Sequence, residues 1–331
     1  MKKVLLILLV LLVGCEKQEN VIEISYDDSY YRVATPYKEN VGSYSIRDYN
    51  KEEVEAMLSK LSTEYFKTNN SLYQEGQYLT TEEIKTLITE YNKTDDIKVD
   101  GVEFTPSYIT TIYEQNYLAT NNVLKGISLA IVVDNKQYYE DNKYKIVDKN
   151  IALNYTKEKA NDLISYIRGK EDLENINIVL GIYLEEDLKG SFKYFGVTDS
   201  NTIKLEHVNY NYQLLESDYV MNNDNKTYNN FIAIKNSLSD YDVYLNAYGL
   251  YQNKTLNEIK MTINKSYFKR SEILNMVNII TSNLNTFDSI VDIKVYFKSN
   301  NVTKAFLSKN SGETKIDTYI LEEWKWLKKI K

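Results

Sequence analysis

One hydrophobic pattern occurs twice in this chain, and no gap is needed to match the copies. Tyr155 meets Phe268, a shift of 113 residues. At that shift Leu163, Ile164 and Ile167 meet Met276, Val277 and Ile280, and Ile178, Leu180, Ile182, Tyr183 and Leu184 meet Val291, Ile293, Val295, Tyr296 and Phe297. In the first copy Thr156 can open a helix with Ala160, Leu163, Ile164 and Ile167 on one face, closing near Gly169. Spacing of three and four residues is that of a helix packing one stripe on a core. The apolar run 176–184 that follows reads as a buried strand. Upstream lie a buried strand at 127–133 and a Lys- and Tyr-rich strand at 143–148. Their counterpart in the second copy, 243–250, matches at a slightly different offset. The expected fold is therefore α+β: two structurally similar repeats of strand-strand-helix-strand order, preceded by a mixed N-terminal segment. Amphipathic helix–strand pairs resemble one another in general, but an ungapped match over about 30 positions favours duplication. Two copies are too few for a solenoid.

The N-terminal segment has its own signals. Residues 21–47 alternate like strands, and Pro36 confines that stretch to an edge or extended position. A helix is expected over 51–66, with Asn50 as cap, Glu52 and Glu53 in its first turn, and Val54, Met57, Leu58, Leu61 and Tyr65 as its stripe. A second is expected over 81–91, where Thr80 and Glu83 have capping-box spacing and Ile84, Leu87, Ile88 and Tyr91 share a face. A short extended piece follows near 97–104, and residues 106–122 run to a polar break without a clear element. A helix near 227–238, with Phe231 and Ile234 inward, separates the repeats. The expected boundaries are 1–14 for a signal peptide, 15–26 for a tether, 27–125 for a segment packing on repeat 1, 126–235 for repeat 1 and 236–331 for repeat 2.

The first fifteen residues are MKKVLLILLVLLVGC. Lys2 and Lys3 form a basic start, and Val4 to Val13 is an unbroken apolar run. Such a run is too short to cross a bilayer, which takes about 20 residues, but it fits the apolar region of a signal peptide. It ends in Leu12-Val13-Gly14-Cys15, the pattern of a bacterial lipobox. There the thiol receives a diacylglyceryl group and cleavage falls before the cysteine. Cys15 is the one cysteine of the chain, and the polar stretch Glu16 to Asn20 reads as a tether. The plain alternative is an ordinary signal peptide with an incidental cysteine. A lipobox implies stable attachment, since two acyl chains hold where one is marginal. The expected partner is the membrane, through an N-terminal diacylglyceryl and palmitate-type anchor, and the expected location is its extracytoplasmic face.

Composition removes several function classes. The net charge is −7, which disfavours a nucleic-acid protein. One cysteine and one histidine exclude an internal disulfide, a cysteine metal cluster and a multi-histidine site. Two prolines and 11 glycines leave little for phosphate-binding loops. His207 sits in an alternating, strand-like context and lacks the placed partner that acid–base catalysis needs. No serine stands in a nucleophile-elbow pattern and no lysine in a phosphate loop. Acidic clusters such as Asp95-Asp96 and Glu185-Glu186-Asp187 read as solvated turns. Asn222 to Asn225 is oxygen-rich but lacks the ligand spacing of a calcium loop. The expectation is a non-enzymatic protein without catalytic residues, metal or cofactor.

Several motifs in order resemble one family. Tyr30-Tyr31-Arg32 followed by Pro36-Tyr37-Lys38, then Tyr73 to Leu79 (YQEGQYL), Tyr113 to Leu118 (YEQNYL), and Gly126 to Ala130 leading to Tyr138-Tyr139 are similar to the CamS family of sex-pheromone precursor lipoproteins. Departures fall after the opening Pro-Tyr-Lys, which continues as Glu39-Asn40-Val41-Gly42, and at Lys189-Gly190-Ser191-Phe192. The resemblance implies a surface lipoprotein of Gram-positive-type bacteria with two similar extracellular repeats. It also implies that the signal-peptide tail, here Leu8, Leu9, Val10, Leu11, Leu12, Val13 and Gly14, is trimmed to a short apolar mating pheromone. The bland alternative is an ordinary apolar region with no signalling role. Tyr30, Tyr31, Arg32, Tyr37 and Lys38 are the candidate ligand or interface residues, because tyrosine combines apolar area with a polar tip. Against that stands simple packing of the tyrosines between the N-terminal segment and repeat 1, with Arg32 and Lys38 paired to Glu75 or Glu114. The mature domain is expected to bind a cell-envelope partner. Alternatives are an envelope carbohydrate-binding protein, a carboxylate-dependent hydrolase, or a passenger behind a signalling peptide.

Overall fold

The computed structural model describes residues 31–321 except 141–142, 187–188 and 209. Cys15, the segment 8–14 and Tyr30 lie outside the described residues. The described chain enters through a two-residue strand, β1 (Arg32–Val33), which is an edge strand and stops short of Pro36. Helix α1 (Lys51–Ser62) follows. The Asn50 side chain accepts from the Glu53 N–H, and Val54, Met57, Leu58 and Leu61 form the buried stripe. Strand β2 (Leu72–Glu75) leads to α2 (Thr81–Tyr91), where the Thr80–Glu83 capping box is complete. A small hairpin, β3 (Ile97–Val99) and β4 (Val102–Phe104), precedes two long strands, β5 (Ile109–Leu118) and β6 (Leu124–Asp134). A second small hairpin, β7 (Lys136–Glu140) and β8 (Lys143–Ile146), leads into α3 (Lys149–Arg168). Then come β9 (Asn177–Glu185), β10 (Ser191–Thr198) and β11 (Glu206–His207).

These strands form a seven-stranded sheet in the order β1-β2-β5-β6-β9-β10-β11. Helix α3 connects β6 to β9, which pair parallel, while β5 and β10 flank them antiparallel. Both faces of the sheet are covered. From β6, Ile127, Leu129, Ile131 and Val133 join the core containing Ile84 and Ile88 of α2 and Leu163, Ile164 and Ile167 of α3. Its Ala130 and Val132 face the other way, into the core built on Val54, Met57, Leu58 and Leu61 of α1. A strand buried on two sides loses its polar alternation, which is why β9 reads as a continuous apolar run.

The second half contains β12 (Tyr210–Leu214), α4 (Asp218–Asn223), α5 (Asn225–Ser237), β13 (Tyr244–Gln252), β14 (Thr255–Asn264), α6 (Arg270–Leu284), β15 (Asp292–Ser299), β16 (Val302–Lys309) and β17 (Asp317–Ile320). Strands β12 to β17 form a six-stranded sheet in chain order. Helix α6 connects the parallel neighbours β14 and β15, with antiparallel β13 and β16 outside them. Here the core lies on one face. Ile259, Met261, Ile263, Ile293, Val295 and Phe297 pack with Phe231 and Ile234 of α5 and with Ile273, Met276 and Ile280 of α6. The intervening residues of β15, Asp292, Lys294, Tyr296 and Lys298, are only partly buried. A core on one face keeps the period-two pattern of polar and apolar residues.

The architecture is mixed α+β, as expected, but its parts are grouped differently. Residues 106–122, which carry no clear pattern, supply β5, buried along its whole length. Strands β1, β2 and β5 make part of the segment 27–125 integral to the first sheet rather than packed on it. Leu215, Val220, Phe231 and Ile234 belong to the core of the second sheet, although the sequence grouped 126–235 with the first unit. Helix α3 begins at Lys149, not at Thr156. Asp148 is the true cap, accepting the Asn150 N–H, while the Thr156 hydroxyl bonds back to the Ala152 carbonyl at 2.9 Å inside the helix.

Two substitutions test this packing. A Cβ on Gly126 would stand 2.4 Å from the Asn177 carbonyl oxygen and 2.5 Å from the Phe66 ring. Gly126→Ala is therefore expected to cost about 1–3 kcal/mol in urea unfolding; an unchanged midpoint would contradict the close β6–β9 approach. Burial alone would raise the pKa of Glu83, but hydrogen bonds from Lys170, Thr80 and Tyr166 lower it to about 2. A folded pKa below the unfolded one gives stability that is present above the ordinary carboxylate range and lost as pH falls toward about 2. Glu83→Gln is expected to cost about 1 kcal/mol at neutral pH, after discounting for solvent screening. The difference should shrink as thermal melts are taken into that acid window.

Candidate functional site

The tyrosine motifs meet along β5. Tyr117 is fully buried, stacked on Phe66 at 4.5 Å between ring centroids and tilted against Tyr31 at 4.9 Å. Tyr73 sits opposite Tyr117 in the β2–β5 register and approaches it edge-on at 6.3 Å. The Tyr31 hydroxyl donates to the Phe66 carbonyl at 2.5 Å, and that of Tyr73 donates to Glu55 at 3.1 Å. Burial, with a contribution from Tyr117, holds the Tyr31 phenol far above its ordinary pKa, and burial does the same for Tyr73. Burial also pushes Tyr117 up to about 12. These rings fill the space under α1 and the N-terminal segment; they do not line an open groove.

The acidic residues of the motifs are also occupied within the fold. Glu114, on β5, accepts backbone N–H groups from Gln77 at 2.9 Å, Tyr78 at 3.1 Å and Leu79 at 2.7 Å. Gly76 is required beside it, because a Cβ there would lie 2.9 Å from the Glu114 Cβ. Glu75 accepts from the Tyr37 hydroxyl at 2.9 Å and from the Asn40 N–H at 2.8 Å. Among the described residues, Arg32 and Lys38 therefore do not pair with Glu75 or Glu114, contrary to the simple expectation. Arg32 lies in β1 opposite Leu72, Lys38 is exposed, and Tyr37 is 59% exposed. Of the candidate interface residues, the structure buries Tyr31 in part and leaves Tyr37 and Lys38 open at the surface.

A second cluster lies at the carboxyl ends of the parallel strands β6 and β9, where sheets of this kind often place ligands. Asp134 and Glu185 stand opposite each other in register. Arg47 Nε lies 3.7 Å from Asp134, and the Asn50 N–H donates to Glu185 at 3.0 Å. Glu53 of α1 meets Lys189 at 3.1 Å, and Glu186 meets Lys193 at 2.8 Å. The Lys189 ammonium also sits 4.3 Å from the Tyr212 ring of β12, so this cluster reaches the second sheet. The Tyr183 hydroxyl, buried nearby, has no hydrogen-bond partner. Burial raises the pKa of Glu185, with the charges of Asp134 and Glu53 adding to it. The carboxylates thus each have a donor or cation, an ion-paired joint and not an open acid–base pair.

The remaining sequence candidates are placed plainly. His207 is exposed on β11, edge-on to Tyr194 at 5.4 Å, and has no acid–base partner among the described residues. Asp224, in the oxygen-rich loop, caps α5 by accepting the Thr227 N–H at 3.2 Å and takes the Tyr251 hydroxyl at 3.1 Å. It borders a polar cleft of about 300 Å³ whose other carboxylate, Asp288, is paired with Lys226. No group of three or more potential metal ligands occurs among the described residues. No helix among them is long and apolar enough to cross a membrane.

With this architecture in view, the relatives are informative. The family model described as the CamS sex pheromone cAM373 precursor matches residues 40–315. The chain belongs to the CamS sex-pheromone precursor family. It is similar to the C-terminal domain of the sex pheromone staph-cAM373 precursor from Staphylococcus aureus, with a TM-score of 0.72 at 20% identity, covering 83% of this chain and 97% of that one. It is also similar to a sex pheromone precursor from Lactobacillus salivarius, with a TM-score of 0.73 at 20% identity, covering 83% and 88%. At that identity these structures establish the fold. No curated protein matches the chain.

Glu185 gives the joint a measurable sign. Its folded pKa lies above the unfolded one, so its favourable contribution is complete below the ordinary carboxylate range and is lost as pH rises through the folded value. Glu185→Gln keeps an oxygen for the Asn50 N–H. The variant is expected to match the parent near pH 4 and to melt at or above it at pH 7. A clear loss of stability confined to neutral pH would show that the carboxylate charge is needed.

Proposed function

We propose that this protein is a lipid-anchored, extracytoplasmic lipoprotein whose signal-peptide tail is released as a short apolar mating pheromone and whose folded part is a non-enzymatic binding scaffold of the cell envelope. The observation that carries this reading is Cys15, the chain's one cysteine, ending an apolar run in a member of a pheromone-precursor family. The thiol takes the diacylglyceryl group, and cleavage before it frees the segment from which Leu8 to Gly14 is trimmed. Two acyl chains then hold the protein at the outer face of the membrane. The absence of any other thiol suits a compartment where redox conditions vary.

A binding role fits the carboxylates of the β6–β9 joint, each of which is engaged by a donor or cation. The two sheets, each with a helix joining a central parallel pair between antiparallel neighbours, are read as products of one duplication. Labelling with a fatty-acid analogue tests the anchor. The parent should carry label in the membrane fraction, and Cys15→Ala should lose it; label retained in the variant contradicts the reading. Mass spectrometry of the medium should find a peptide within residues 8–14, and a mating-response assay should register it.

A further inference from the structure

The β7–β8 hairpin splits the Tyr138-Tyr139 pair of the family motifs. Tyr139 stacks inward on Phe104 of β4 at 5.7 Å between ring centroids. Tyr138 stands opposite Tyr144 in the register, their rings 5.7 Å apart. Lys136 and Ile146 are the next opposed pair on the same side, so strand alternation gathers Lys136, Tyr138, Tyr144 and Ile146 on one face. The other face is engaged by the fold. Gln137 is buried and accepts the Ser107 N–H at 2.6 Å, and Lys145 pairs with Asp100 at 3.2 Å. The first face is open: Tyr138 is 44% exposed, Tyr144 46% and Ile146 53%. Scattered apolar residues are normal on a surface, but a contiguous group marks a contact. The one charged side chain of this face, Lys136, holds its ammonium 4.1 Å from the Tyr144 ring centre.

Tyrosine and lysine beside an aliphatic side chain suit a membrane interface. The rings settle at headgroup level, the aliphatic carbon enters the acyl boundary, and lysine reaches back to the phosphates. We propose that this hairpin face docks on the headgroup region of a bilayer containing anionic lipid, with Tyr138, Tyr144 and Ile146 entering the interface and Lys136 meeting lipid phosphates. The inference rests on the anchor reading above, which supplies the occupant. The 16 residues from Cys15 to Tyr30 span at most about 55 Å. The bilayer is then always within reach, at an effective concentration on the order of millimolar, and a weak face is sufficient. Charge favours the same occupant. Anionic lipid repels a chain of net charge −7 as a whole, and the approach that suffers least is through a face whose single charge is positive. A second copy meeting this face through a two-fold axis brings two Lys136 ammonium groups together, with no carboxylate among the four residues of either face. The anchor sets how far the folded part stands from the bilayer, and the hairpin sets its orientation.

The test uses the acylated full chain in vesicles of phosphatidylglycerol and phosphatidylcholine in equal parts. With Cys15 acylated, an introduced cysteine is the single free thiol for an environment-sensitive dye. Lys143→Cys reports beside the face, and Asn236→Cys, exposed on α5, serves as reference. Lipids spin-labelled near the headgroup should quench the dye at 143 at least two-fold more than the dye at 236. Tyr144→Ser with Ile146→Ser should bring 143 down to the reference level, and Ile146→Trp should increase quenching there, with unchanged circular dichroism throughout. Equal quenching at 143 and 236, quenching unmoved by the double serine change, or dye self-quenching at 143 that rises with protein density and so reveals a second copy on the face would each overturn the proposal. Flotation with the vesicles reads the anchor separately. The Cys15→Ala chain, which has no anchor, should co-sediment weakly with the same vesicles at millimolar lipid, and the double serine change should cut that binding five-fold or more. No such binding counts against the hairpin and leaves the anchor standing, whereas failed flotation of the parent counts against the anchor alone.

Discussion

Strand β5 carries Glu114, Gln115, Asn116 and Tyr117 into an interior without room for water-facing side chains, and much of the first sheet follows from how they are satisfied. A buried polar group without a partner is costly. Glu114 is met by three backbone N–H groups of the 77–79 loop. The Gln115 amide donates to the Glu55 carbonyl of α1 at 2.9 Å, and its oxygen accepts the Tyr117 hydroxyl at 2.9 Å. The Asn116 amide donates to the Glu75 carbonyl at 3.1 Å. Each residue thus draws part of the preceding chain onto the sheet. The N-terminal segment is fixed by polar interactions at one strand as well as by apolar contact under α1.

The two sheets differ because their cover differs. In the first, α1 closes the face opposite α2 and α3, and the strands between become apolar on both sides. In the second, α5 and α6 cover one face only. The core positions of β9 and β15 correspond, but their alternate residues do not. Tyr183 of β9 is fully buried, whereas Tyr296 of β15, its counterpart at the 113-residue shift, is only partly buried. One topology therefore yields a sheet with cores on both faces and a sheet with its core on one. The joint around Glu53, Lys189 and Tyr212 connects them through ion pairing and ring contact.

Much of this was legible in the residues, for local physical reasons. Asn50 before Glu52-Glu53, and Thr80 before Glu83, mark helix starts because capping depends on neighbours in sequence. The 113-residue shift marks the α3–β9 and α6–β15 units because core faces impose a period. Strand β5 was not legible, since the partners of Glu114 and Gln115 come from chain some 35 to 60 positions away. The start of α3 was missed because Thr156 spends its hydroxyl inside the helix. The tyrosine motifs were visible, but whether they formed a groove or a core depended on contacts that no local pattern encodes. The one-faced core of the second sheet had a signal in the alternation of Asp292 to Ser299, which differs from the continuous apolar run of β9.

Native-state hydrogen exchange at Gln77, Tyr78 and Leu79 tests most directly whether β5 organises the first sheet. These amides lie outside any strand or helix, yet all three donate to the buried Glu114 carboxylate. The account predicts that they exchange as slowly as the amides of β5 and β6, and that Glu114→Ala releases them together. Exchange at the rate of an open loop in the parent protein would contradict it.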